Sequence, residues 1–93
     1  MRYVYKTSFD KAYRRLHPDG QSEIDYALQS LFDFLDKKTP LSVGLGFKRI
    51  GKAYWEIRAG IRCRILFEWT REVVTFYFVG NHDQIRRFIR HEG

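Results

Sequence analysis

The strongest constraint in this chain is YWEIRAGIRCRILFEW, Tyr54 to Trp69, where apolar and charged side chains alternate on either side of Ala59-Gly60. Successive side chains of a strand point to opposite faces. Ala53, Trp55 and Ile57 therefore share one face, and Tyr54, Glu56 and Arg58 share the other. The second run divides the same way, with Ile61, Cys63, Ile65, Phe67 and Trp69 on one side and Arg62, Arg64, Leu66 and Glu68 on the opposite one. Folded as a hairpin about Ala59-Gly60, the pair gathers Glu56, Arg58, Arg62 and Arg64 on one surface. A solvated outer face accounts for such a pattern, and so does a binding surface for anions.

The rest of the chain supplies what this hairpin must pack against. Residues 2–6, RYVYK, alternate as a short strand. Ser8 is placed to cap a helix whose Phe9, Ala12, Tyr13 and Leu16 form one stripe, and Pro18-Asp19-Gly20 is expected to end it. A second helix, from about Ser22 to Asp36, puts Ile24, Ala27, Leu28, Leu31, Phe34 and Leu35 on one face. KKTPLSVGLG, Lys37 to Gly46, reads as a loop. The period returns to two in a short strand at Phe47–Ile50, then in the hairpin, then at Val73–Val79. GNHDQIRRFIR closes as a short helix starting near His82, with Ile85, Phe88 and Ile89 inward and Arg86, Arg87 and Arg90 outward. The expected fold is α+β: two N-terminal helices packed on one face of a mainly antiparallel four- to five-stranded sheet, with a short C-terminal helix. The helices claim the Trp55/Ile57/Ile65/Phe67 face, so the arginines fall on the uncovered one.

At 93 residues the chain is one domain, 1–93, able to bury roughly two-thirds of its extended surface. No apolar run nears the roughly 20 residues of a membrane span, and Met1–Tyr5 enters a strand pattern directly, so a cytoplasmic protein with no membrane partner is expected. The single cysteine excludes an internal disulfide, and Cys63 reads as a buried thiol. Of the formal charge of +6, residues 47–93 hold ten Lys/Arg against five Asp/Glu, and residues 1–46 hold seven against six. The basic half is the hairpin half, and it favours a polyanion or an acidic protein partner. Three scattered histidines and one core-facing cysteine make no metal set, and no cofactor motif is present.

The order of elements, with YWEIR in one strand, RILF opening the next and VGNHDQI leading into the last helix, resembles the RelE/ParE toxins of bacterial and archaeal toxin–antitoxin pairs. The resemblance spans Tyr5 to Arg90. It implies a ribosome-dependent endoribonuclease that enters the 30S A site, contacts rRNA and cuts mRNA there by attack of the ribose 2′-hydroxyl, needs no cofactor, and is silenced by a cognate antitoxin. The ParE branch shares the fold but poisons DNA gyrase, and a catalytically inactive homologue would keep it as well; the fold does not choose among these.

By the same resemblance, Arg64 matches the arginine set against the scissile phosphate, and His82 stands where the ribonucleases carry a catalytic arginine or histidine. Phe88 replaces a substrate-touching tyrosine and is left to stack or pack. Tyr54 and Glu56 replace lysines, which leaves room for a histidine/carboxylate mechanism. The chemistry itself asks for a base, an acid and fixed cations around a phosphorane. Glu56, His82, Arg64 and Arg58 are the catalytic candidates on that ground. Lys48, Arg49, Lys52 and Arg62 are candidate contacts to the RNA backbone, with Phe88 beside them. The bland alternatives are a cross-strand ion pair for Glu56, a helix-capping or surface role for His82, and a solvated helix face for Arg86, Arg87 and Arg90.

Overall fold

A computed structural model describes residues 1–40 and 46–92. Its elements are β1 (Arg2–Tyr5), α1 (Thr7–Arg14), α2 (Pro18–Lys37), β2 (Phe47–Ile50), β3 (Tyr54–Ala59), β4 (Cys63–Trp69), β5 (Val73–Gly80) and α3 (His82–Glu92). The strands form one sheet in the order β1-β5-β4-β3-β2. Every pairing is antiparallel except β1 with β5, which is parallel. Helices α1 and α2 lie on one face, burying Phe9, Ile24, Ala27 and Leu31 against Ile57, Ile65, Phe67, Val74 and Phe76. This is the apolar set that the alternation assigns to the helix side. Phe67 and Phe76 are fully buried with ring centroids 6.0 Å apart, and losing either ring would cost about 3–5 kcal/mol.

Four local expectations are corrected. Pro18-Asp19-Gly20 does not merely end α1; it begins α2. Proline is preorganised for the first helical position, and the Asp19 N–H donates to His17 Nδ1 at 3.2 Å. Ser8 does not cap α1, whose N-cap is Lys6; its hydroxyl donates instead to the Tyr77 carbonyl of β5 at 2.5 Å. Ile61 is not on the apolar face. Ala59 pairs with Cys63, so Gly60, Ile61 and Arg62 form the turn, where strand alternation lapses and Ile61 is 92% exposed. The loop expected over Lys37–Gly46 is entered one residue later, since α2 continues through Lys37, and its 41–45 stretch lies outside the described residues.

A fifth correction concerns the second face of the sheet. It is not left open, because α3 crosses part of it and buries Ile85 and Leu66, which are 1% and 0% exposed and lie outside the main core cluster. A β-bulge fits that helix to the sheet. Leu66 pairs with Phe78 but Phe67 pairs with Phe76, so Tyr77 has no partner in the register. The extra residue lets both Tyr77 and Phe78 reach Phe88 of α3, at 6.4 and 4.9 Å between centroids. At the helix start, the Gln84 N–H donates to Asn81 Oδ1 and the Asn81 N–H donates to Gln84 Oε1, both at 2.8 Å. This reciprocal cap makes Asn81 the capping residue and places His82 in the first turn.

Candidate active site

Between α3 and the β2 edge lies a cleft of about 250 Å³, lined by Lys48, Ile50, Glu56, His82, Ile85 and Arg86 among others. The register explains who meets there. Lys48 is paired with Glu56 and Glu56 with Leu66, so all three share the α3 face. Arg58 is paired with Arg64, and Arg64 with Gly80, in the next row on that face. Diagonal neighbours in an antiparallel pair lie within reach of long side chains. Arg64 uses that diagonal: its Nε lies 2.6 Å from Glu56 Oε1, with the two side chains 19% and 10% exposed.

The carboxylate at the cleft floor is thus an acceptor for Arg64. A guanidinium has five N–H donors in a rigid fork, so most of the donors remain to be used. His82 is exposed, and since Asn81 and Gln84 cap the helix, its imidazole is not needed for that task. Lys48 and Arg86 add positive charge on opposite walls. The arrangement suits a small anion: cations on several sides, one titratable imidazole and one carboxylate. Burial, and then Glu23, push the Cys63 thiol upward, against any role as a thiolate. Among the described residues no group of three His, Cys, Asp or Glu could hold a metal ion.

No protein-family model and no curated protein sequence matches the chain. Solved structures do. A copper-bound mutant toxin from Helicobacter pylori superposes with a TM-score of 0.71 at 19% identity, covering 91% of this chain and 98% of that one. A chain of the RelB–RelE antitoxin–toxin complex from Methanococcus jannaschii gives 0.68 at 18%, covering 91% and 96%. A YafQ mutant from E. coli gives 0.71 at 15%, covering 91% and 98%. The fold is that of the RelE-type toxins.

Within this RelE-type fold the residues singled out from sequence separate into two groups. Lys48, Glu56 and His82 meet in the cleft, and the ion pair ties Arg64 to its floor. Arg58 is exposed in the row beyond, and Arg62 is exposed in the hairpin turn. Arg49 borders the cleft, but its guanidinium turns to the opposite face, donating to the Lys52 carbonyl at 2.7 Å and lying 5.7 Å from the Trp55 ring. Lys52 is exposed in the β2–β3 turn. Phe88 is half-buried and stacks on Phe78. Arg86, expected to be a solvated residue of α3, lines the cleft. The signal that finds it is spacing: residues four apart on a helix share a face, so a helix that offers His82 to the sheet offers Arg86 with it.

Proposed function

We propose that the chain is the toxin of a type II toxin–antitoxin pair, a ribosome-dependent endoribonuclease that acts in the cytoplasm on mRNA in the ribosomal A site. The observation that carries the reading is the cleft itself, in which His82 faces a Glu56 floor between Lys48 and Arg86, with Arg64 fixed to that floor. The RelE-type fold supports it. An antitoxin partner is supported by the RelB–RelE and DinJ–YafQ complexes among the structural neighbours.

In the proposed reaction the 2′-hydroxyl oxygen attacks the adjacent phosphorus and the bond to the 5′-oxygen breaks, leaving a cyclic phosphate and a 5′-hydroxyl. A base takes the 2′-proton and an acid supplies one to the leaving oxygen. His82 serves one of these transfers. Glu56 either serves the other or acts by orienting Arg64. Arg64, Lys48 and Arg86 stabilise the charge that grows on the phosphorane, and Arg58 and Arg62 extend the basic track for flanking phosphates. Mapping mRNA ends after a pulse of expression tests the reading. Cuts clustered in translated frames are expected; intact mRNA with double-strand DNA breaks would replace it with gyrase poisoning.

A further inference from the structure

Between α1 and α3, beside Phe78 of β5, lies a hollow of about 500 Å³ that the proposed reaction does not use. Lys11 and Arg15 of α1 form one bank, and Arg87 and His91 of α3 form the other. The floor is apolar: Ala12 is buried, and Phe78 stacks on Phe88 at 4.9 Å between centroids. Two further polar groups in the lining are already engaged. The Ser8 hydroxyl donates to the Tyr77 carbonyl, and Gln84 accepts from the Asn81 N–H.

The three cations and the imidazole are left unanswered by their surroundings. Among the described residues no carboxylate lines the hollow, and none of the four basic side chains is in an ion pair. Lys11 and Arg15 stand four apart on their helix, a spacing at which like charges repel. The helix dipole favours cations in a last turn, but it is indifferent to the face that carries them, and here both helices turn theirs to one hollow. Each bank is about 6 Å long, four residues at 1.5 Å apiece. A docked peptide helix would present little more than one turn to such a length, whereas a chain of phosphates concentrates several negative charges in it.

We infer that this hollow binds a nucleoside di- or triphosphate, its phosphates held between the two basic banks and its base against the floor of Ala12, Phe78 and Phe88. The volume and the apolar lining with a few placed polar groups are those of an ordinary small-molecule site. Guanidinium forks match pairs of phosphate oxygens. The inference concerns a free nucleotide and does not rest on the ribonuclease reading. Helix α3 offers Arg87 and His91 to this hollow and His82 and Arg86 to the cleft, so a bound nucleotide holds the helix that walls the cleft.

Calorimetric titration of the intact protein with ATP, at low salt and without divalent cations, tests the site, with inorganic tripolyphosphate as the second probe. ATP should bind one to one, and tripolyphosphate about 5-fold or more weaker, since it has no base to stack. Arg15→Gln and, separately, Arg87→Gln should each weaken ATP binding about 10-fold or more through the lost charge-assisted hydrogen bonds. Arg14→Gln makes the same charge change on α1 outside the lining and should leave binding as it is. All three arginines are exposed, so the variants should fold, and thermal midpoints check this. No binding of ATP, equal affinity for tripolyphosphate, or equal losses from all three variants would overturn the site. Binding lost in Lys48→Gln but kept in Arg15→Gln would also overturn it, by placing the nucleotide in the cleft. None of these readings depends on cleavage.

Discussion

Arg64 and Glu56 form a diagonal ion pair at 2.6 Å, largely withdrawn from water, on the face of the sheet that α3 crosses. An exposed arginine would contribute little to folding, and the sequence pattern alone put Arg64 in that class. Its actual position changes the expectation. Arg64→Ala leaves a buried carboxylate without its partner and should cost up to about 3 kcal/mol, the low end for a buried pair because Arg64 keeps some solvent access. Glu56→Gln should cost less, since an amide oxygen still accepts from Nε. Urea unfolding of both variants checks the order.

The same two substitutions separate positioning from proton transfer. If Arg64 faces the phosphate, Arg64→Ala lowers single-turnover cleavage on saturating programmed ribosomes about 100- to 1000-fold. Glu56→Gln retains most of the rate, with an unaltered pH profile, if Glu56 only orients Arg64. A loss of about 100-fold or more with a changed profile assigns it a proton.

For His82, substitution by glutamine should leave the thermal midpoint unchanged, because Asn81 and Gln84 hold the helix start. Cleavage should fall by about 100- to 10,000-fold with ribosome binding intact. Weakened binding with a normal saturated rate would make His82 a recognition residue instead. Asn81→Ala should behave oppositely, losing about 1 kcal/mol of stability through the cap.

Gly60 and Gly51 both have positive φ, +71 and +64, but only Gly60 is crowded, with the Glu23 carboxylate where a Cβ would stand. Gly51→Ala should therefore cost about 1–2 kcal/mol, the penalty of the left-handed conformation. Gly60→Ala should cost about the same, because the Glu23 carboxylate is the far end of an exposed, flexible side chain that can swing aside. Urea unfolding of the two alanines checks this, and a clearly larger loss at Gly60 that the Glu23→Ala/Gly60→Ala double variant recovers would refute it.

Stability should fall at both ends of the pH scale through one contact. Asp36 accepts from the Tyr3 hydroxyl at 2.7 Å and lies 3.4 Å from the N-terminal ammonium. These partners, the tyrosine first, hold its carboxyl below the ordinary 3.8. A lowered folded value gives stability that is present above the unfolded value and lost as pH falls through the folded one. Tyr3 is pushed up from 10.0 by burial and then by Asp36, so its contribution is full below 10.0 and is lost as pH rises beyond it. Tyr3→Phe should flatten both limbs in chemical unfolding series at pH 3, 7 and 10.5.

The strand faces of the hairpin were legible because period two is strict there, and Ile57, Ile65 and Phe67 lie where the alternation puts them. Ile61 breaks the rule for a reason that composition hides: the turn takes three residues, and the apolar side chain within it has no face to join. Pro18 reads as a stop because proline ends helices, yet at the start of α2 it opens one. The site was half legible. Glu56 and Lys48 meet through register, but His82 joins them only through α3, the Tyr77 bulge leaves no mark in the residue pattern, and the cover over Leu66 depends on where α3 docks. Arg86 was visible as a cation and not as a lining residue, since its partner surface comes from β2, far away in the chain.

The parallel pairing of Arg2–Tyr5 with Val73–Phe76 sets an order on assembly. Strand β1 is synthesised first and finds its neighbour only when β5 has emerged, and His82 follows later still. Such distant pairing is slow to form because loop-closure entropy must be met before contacts repay it. On a growing chain the floor of the cleft, Glu56 with Arg64, has no wall until α3 arrives. A nascent chain that has not yet released α3 carries the arginines of the hairpin but no cleft, and whatever the cleft does begins only after that helix is out.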